Sequence, residues 1–197
     1  MNKGIFDAIS GIAKSFGLDL GKFKNAVPGA GNKTKSFTFQ ALPQNLQQLQ
    51  ALPEAALTDV YATAALTLLA LARYVEDRAA GLEMLNFLKG PDNMSQAELQ
   101  HINDRFMDGK SYKVRSFFEG ATPANNYTPS QPYRIQVSSN PYSFDNEVWA
   151  TLYMHSGGAD SPRPVRLRQK PSTGQWFLVE IQYLGDIRLP AAEDKWR

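Results

Sequence analysis

The apolar residues of this chain change their spacing once, and that change constrains the fold more than any other feature. Up to about residue 109 they recur every three or four positions, which is typical of helices with one buried side. From residue 133 onward they alternate with polar residues, which predicts strands of a sheet with one buried face. The sequence therefore predicts an α+β fold, in which a helical N-terminal half packs on a four-stranded antiparallel β-meander in the C-terminal half.

Helices are predicted between residues 45 and 109. The longest covers 54–73, where leucines and small alanines recur at steps of three and four, so most of its surface is expected to be buried. A second helix is predicted over 81–88. Ser95 and Glu98 form a capping-box sequence that opens a third helix, because each side chain can satisfy a backbone N–H at the helix start.

Four strands are predicted, over residues 133–138, 147–155, 164–170 and 175–183, with turn residues between them. Short strands joined in this way form an antiparallel meander, which places the sheet over about 133–184. Each strand has one apolar side, so the helices are expected to cover one face of the sheet. The earlier segment 37–39 is interpreted as either a short strand or an extended docking segment.

Charge separates an N-terminal arm from the rest of the chain. Residues 1–35 carry six lysines and only two acidic residues, Asp7 and Asp19, whereas the whole chain has a net charge of +2. Within the arm, isoleucines and Phe16 share one side of a predicted amphipathic helix over 4–17, and a basic flexible linker follows it. The predicted organisation is therefore an arm over 1–35 and a single α+β domain over 36–197.

Composition excludes several classes of protein. The chain has no cysteine, so disulfides, thiolate catalysis and Cys-based zinc or iron–sulfur sites are excluded. The longest apolar stretch, over 60–72, is shorter than the roughly 20 residues that span a membrane. No secretory signal is recognised in the N-terminal arm, and a cytoplasmic location is expected.

A basic cluster on the third predicted strand is the leading candidate for a binding site. Arg166, Arg168 and Lys170 share one side of that strand, and Arg163 precedes it. Alternation assigns three aromatic residues, Trp149, Tyr153 and Trp176, to the same polar side of the sheet. Aromatic residues beside cations are typical of binding surfaces and oligomer contacts, although an ordinary solvent-facing sheet also carries such charges.

Catalytic chemistry has weaker support. His155 lies near Ser156, Asp160 and Ser161, which is the composition of a hydrolase triad without any recognisable nucleophile motif. His101 shares a helix with acidic residues, a pattern that ordinary solvated helices also show. We therefore predict no catalytic, cofactor-binding or metal-ligating residues, and keep a small-substrate enzyme using His155 and Asp160 as an alternative.

Several stretches resemble a family of uncharacterised bacterial proteins, a domain of unknown function. They are 51–55, 64–67, 84–91, 121–129, 157–164, 176–178 and 186–188, so the resemblance covers about residues 36–197. It implies no catalytic residues. The loops in this resemblance are rich in Pro, Gly and Asn, which serve either turn geometry or ligand contact, and Asn125, Asn126 and Asp160 are the candidates for the second role.

These observations lead to three hypotheses. The first is a non-enzymatic binding or protein-interaction module that uses loops 121–132 and 156–164 together with Arg166 and Arg168. The second is the enzyme described above. The third is peripheral membrane attachment through residues 4–20. No strong nucleic-acid signal is present, no cofactor is implied, and the partner is either another protein or a second copy of this chain.

Overall fold

The computed structural model describes residues 32–144 and 146–196. The amphipathic helix predicted over 4–17, the membrane contact predicted over 4–20 and most of the basic linker lie outside the described residues. Lys33 and Lys35, predicted to belong to that linker, are part of the first strand. The stretches that carry the family resemblance, the helices predicted between 45 and 109 and the four predicted strands lie within the described residues.

Five strands form one antiparallel sheet in the order β1-β2-β3-β4-β5. They are β1 (Lys33–Phe39), β2 (Tyr133–Ser139), β3 (Trp149–Met154), β4 (Arg163–Lys170) and β5 (Gln175–Ile181). The prediction of four strands is therefore wrong by one. The additional strand, β1, contains the segment 37–39 and pairs along its whole length with β2, about a hundred residues later in the chain.

Five α-helices lie between β1 and β2, and the predicted helical region is confirmed in outline. They are α1 (Leu46–Gln50), α2 (Val60–Glu76), α3 (Arg78–Lys89), α4 (Gln96–Phe106) and α5 (Tyr112–Arg115). The capping box at the start of α4 is present, because Ser95 and Glu98 each accept a backbone N–H of the other residue. Short 3-10 turns occupy Pro53–Ala56 and Pro123–Asn125.

Helix α2 is the centre of the core. It contacts all five strands as well as α3, and 14 of its 17 residues are buried. It starts later than predicted, because Pro53 opens a 3-10 turn that ends at Leu57 in a left-handed conformation, and Asp59 then caps the helix. The buried hydroxyl of Thr67 bonds the Ala64 carbonyl and the hydroxyl of Tyr183, so this polar group is satisfied inside the core.

The sheet has one inner face, covered by helices, and one outer face. The inner face is buried, and its side chains include Phe39, Ile135, Val137, Ala150, Leu152, Met154, Val165, Leu167, Trp176, Leu178 and Ile181. The outer face has alternating exposed or half-buried side chains, such as Arg134, Thr151 and Arg166. Exposed side chains are therefore concentrated on the outer face, whereas α2 packs against the inner one.

A register shift in β5 changes which of its side chains point outward. Arg166 pairs with Glu180 whereas its neighbour Leu167 pairs with Leu178, which leaves Val179 as an additional residue in β5. Because side chains alternate along a strand, one additional residue reverses the alternation beyond it. Trp176 is consequently buried at 5% exposure, and the prediction that it shares a polar face with Trp149 and Tyr153 is wrong.

Candidate functional site

An aromatic and basic cluster occupies the outer face where β3, β4 and β5 run side by side. Trp149 of β3 is directly opposite Arg168 of β4, which in turn is opposite Phe177 of β5. Two of the three guanidinium groups of β4 lie close to the Trp149 ring, with Arg166 at 5.3 Å and Arg168 at 5.1 Å from the ring centroid. These are cation–π distances, so one indole holds two arginines on the surface of a rigid sheet.

The cations of this cluster are weakly neutralised by the protein itself. Arg166 approaches Glu180 at 3.7 Å, but both side chains are about half exposed, and such surface pairs contribute little. Arg168 and Lys170 have no ion-pair partner within the described part of the chain. The cluster therefore presents positive charge to solvent next to aromatic surface, which suits an anionic ligand.

A concave cleft adjoins the cluster between the outer side of the sheet and the turn after α3. Its volume is about 320 Å³, and it is lined by Lys89, Pro91, Asp92, Trp149, Arg168, Gln169, Lys170, Pro171, Phe177, Leu178 and Val179. Sequence reasoning missed the contribution of Phe177, because simple alternation assigned it to the buried face. The backbone of Gly90 lies against this ring, which is possible because glycine has no Cβ atom. A glycine in this turn does not by itself indicate that contact.

The remaining predicted basic residue, Arg163, does not join this cluster. It lies at the start of β4 on the side of Val165 and Leu167, opposite to Arg166. Its guanidinium donates a hydrogen bond to the Asp186 carbonyl at 3.0 Å. Arg163 thus connects β4 to the C-terminal segment, whereas Trp149, Tyr153, Arg166, Arg168 and Lys170 all belong to the outer face.

The predicted loop residues hold the loops to one another. Asn125 accepts hydrogen bonds from the backbone N–H groups of Thr122 and Thr128 and donates to the Gly120 carbonyl. Asn126 accepts from the N–H of Ala192. These side-chain groups are used within the protein, which favours turn geometry over ligand contact for the two asparagines.

Asp160 belongs to the same loop cluster. It forms a salt bridge with Arg188 at 2.7 Å, and the Arg188 backbone N–H donates to the Gly158 carbonyl. The hydroxyl of Tyr127 donates to the Arg188 carbonyl at 2.7 Å. Three stretches that carry the family resemblance, 121–129, 157–164 and 186–188, are therefore bonded to one another at one end of the sheet.

His155 and Asp160 do not line a common cleft. The Nε2 atom of His155 is 3.0 Å from the Ser138 hydroxyl oxygen, and the ring borders a cleft of about 170 Å³ that also contains Ser116 and Ser156. Burial lowers the pKa of His155, so the neutral imidazole is favoured. Asp160 does not line that cleft; its carboxylate is 94% exposed and paired with Arg188.

Tyr127 gives this loop cluster a pH dependence that can be measured. Burial, with a smaller effect of Tyr112, raises the pKa of Tyr127 to about 12. The unfolded chain releases this proton near pH 10. Between pH 10 and 12 the unfolded state is therefore favoured progressively, and we expect Tyr127→Phe to lose stability less steeply than wild type over that range. Urea midpoints measured at several pH values test this expectation. The exposed Tyr142→Phe is the control. Equal slopes of stability against pH for wild type and Tyr127→Phe contradict the expectation.

Residues 32–144 and 146–196 contain no group of three or more His, Asp or Glu side chains that could hold a metal ion. None of the helices in these ranges is both long enough and apolar enough to cross a membrane.

The fold and the site together define an α+β domain, with helices on one face of a five-stranded antiparallel sheet and an aromatic, basic cluster on the other. The chain belongs to the family described as a domain of unknown function, DUF6935, which matches residues 41–191. This confirms the resemblance to a domain of unknown function, while the bacterial origin and the cytoplasmic location stay predictions. The chain matches no curated protein and no solved structure.

Proposed function

We propose that this protein is a non-enzymatic binding domain that holds an acidic segment of a partner protein on the outer face of its sheet. The observation that carries the proposal is the placement of two guanidinium groups, Arg166 and Arg168, within 5.3 Å of one indole ring on an open sheet surface. The surface is rigid, positively charged and aromatic, and it lies away from the loop cluster.

The chemistry of the cluster favours carboxylates. A guanidinium that stacks on an aromatic ring keeps its N–H groups free at the edge, where a carboxylate can accept two hydrogen bonds. Stacking on Trp149 also restricts the side chains before binding, so less conformational entropy is lost when the ligand arrives. Arg168 needs no internal ion pair to be broken, and the 3.7 Å contact of Arg166 with Glu180 is weak enough to exchange.

The composition of the surface favours a protein partner. Trp, Tyr and Arg are the residues most enriched among those that dominate protein–protein binding energy. Trp149, Tyr153, Arg166 and Arg168 supply these side chains on two neighbouring strands. Arg166, Arg168 and Lys170 are exposed along β4, so a partner segment can lie along this face.

Charge reversal tests the proposal. The double variant Arg166→Glu with Arg168→Glu is expected to lose the proteins captured by wild type from a lysate of the source cell, including an acidic protein whose capture resists nuclease. Its melting temperature is expected to change by less than about 8 °C, because two exposed cation–π contacts contribute at most about 1 kcal/mol each.

The matched control is Arg78→Glu with Arg115→Glu, which makes the same change of charge at two exposed helical positions. This control is expected to capture the same proteins as wild type. Capture unaffected by the Arg166 and Arg168 changes contradicts the proposal. Capture that nuclease treatment abolishes also contradicts it, because nucleic acid is then the ligand.

A further inference from the structure

We infer that the acidic segment carries an aromatic residue, whose ring enters the cleft between Trp149 and Phe177 while its flanking carboxylates meet Arg168 and Lys170. This inference rests on the proposed function and specifies its ligand: an aromatic side chain within an acidic sequence.

A row of three side chains runs across the sheet at this place. Trp149, Arg168 and Phe177 are direct cross-strand neighbours on β3, β4 and β5. Adjacent strands are about 4.8 Å apart, so the two aromatic positions are separated by roughly 10 Å. That separation accommodates one aromatic ring between them, with the Arg168 guanidinium beneath it as a cation–π partner.

The wall of the cleft is preformed. A Cβ atom at Gly90 would lie 2.4 Å from the Phe177 ring, so the backbone of the turn packs directly against that ring. Pro91 and Pro171 line the rim with apolar surface of restricted conformation. The volume of about 320 Å³ is at the small end for ligand pockets, which suits a single side chain.

The charges around the cleft determine where the carboxylates of the segment bind. The ammonium group of Lys89 is already used, since it bonds Glu98 at 2.7 Å and the Val179 carbonyl at 3.3 Å. Asp92 lines the same side of the cleft with negative charge. Acidic groups are therefore repelled at the Asp92 side and attracted to Arg168 and Lys170, which fixes the orientation of the segment.

Three labelled peptides test the inference by fluorescence anisotropy with the full chain at low ionic strength. The first is Asp-Glu-Phe-Asp-Glu, the second replaces its phenylalanine by alanine, and the third replaces its four acids by the matching amides. We expect the first to bind about tenfold more tightly than the second, because a phenyl ring is buried, and at least tenfold more tightly than the third.

Two variants connect the peptide result to the cleft. Phe177→Leu is expected to reduce the advantage of the phenylalanine peptide over the alanine peptide. Lys170→Gln, an exposed change that leaves the core intact, is expected to weaken the phenylalanine peptide several-fold, whereas Lys195→Gln at another exposed position leaves it unchanged.

The outcomes separate this inference from the proposed function. Equal affinity for the phenylalanine and alanine peptides, lost in both on Arg168→Glu, overturns the aromatic cleft and leaves acidic recognition standing. Absence of binding by the phenylalanine peptide overturns the inference as well. The proposed function itself is overturned by an unchanged set of captured proteins in the Arg166 and Arg168 double variant, or by capture that nuclease treatment abolishes.

Discussion

Replacing Gly81 by alanine is expected to lower the free energy of unfolding by about 3 kcal/mol or more. A Cβ atom at this position of α3 would lie 2.2 Å from the Cα and 2.3 Å from the backbone nitrogen of Tyr74 in α2. Backbone atoms cannot rotate away as a flexible side chain can, so the two helices would have to move apart.

The connection between the helices prevents that movement. Asp77 is both the last capping residue of α2 and the N-cap of α3, where its carboxylate accepts from the N–H groups of Ala79 and Ala80. The gain in helix propensity from glycine to alanine is only about 1 kcal/mol, which is smaller than the expected strain. The steric strain therefore exceeds the gain in helix propensity, and the substitution is expected to destabilise the protein.

Urea denaturation of Gly81→Ala and of wild type measures this effect. Gly185→Ala is the matched control, because a Cβ atom there meets nothing within 4 Å; its stability is expected to change by less than about 0.5 kcal/mol. If Gly81→Ala is as stable as Gly185→Ala, that result contradicts the close approach of α2 and α3.

Gly157→Ala is expected to be the second most damaging of the changes considered, with a loss of about 2 to 3 kcal/mol. Its Cβ atom would lie 2.0 Å from the carbonyl oxygen of Ala121. Relief requires the 121–129 loop to shift, yet the Gly157 N–H is bonded to the Ser116 carbonyl at 2.9 Å and resists a shift of its own backbone. A methyl group at position 157 therefore cannot be accommodated without displacing one of these two backbone segments.

This change also separates the two interpretations of the loops. If the loops serve packing, folded Gly157→Ala protein binds the acidic phenylalanine peptide with wild-type affinity, although its melting temperature is lower. Unaltered stability combined with lost peptide binding would assign the loops to ligand contact instead. Peptide anisotropy and thermal unfolding of the same preparation decide between them.

The helices were predictable because their signals are local. The capping box at Ser95 and Glu98 operates within one turn, and the small and large apolar residues of α2 recur along one short segment. The start of α2 was predicted too early. Pro53 and the left-handed Leu57 form a separate turn before the helix, and the spacing of apolar residues does not reveal this turn.

The fifth strand was harder to predict because its pairing is non-local. The segment Lys33–Phe39 has only two apolar residues, Phe37 and Phe39, which are too few to establish an alternation, and its partner strand begins at Tyr133. Between them lie all the helices of the described region. The sequence of a segment does not show which distant segment it pairs with, so the segment 37–39 was open to two interpretations.

The outer-face cluster was predictable only in part, for a related reason. Strand alternation alone brought Trp149, Tyr153, Arg166, Arg168 and Lys170 to one surface, and all five are there. The bulge at Val179 depends on how β5 fits against β4, and it reverses Trp176 and Phe177. Sequence alone therefore identified the cations and one indole, but not the second ring of the cleft.

By itself the amino-acid sequence determined the α+β class, the helical first half and the basic strand at Arg166 and Arg168, because periodicity is a property of each segment alone. The tertiary structure decided the fifth strand, the burial of Trp176 and the contribution of Phe177 to the cleft. It also assigned Asn125 and Asp160 to bonds within the loop cluster. Each of these depends on which distant segments meet and in what register, and that is settled only when the helices and the sheet pack together.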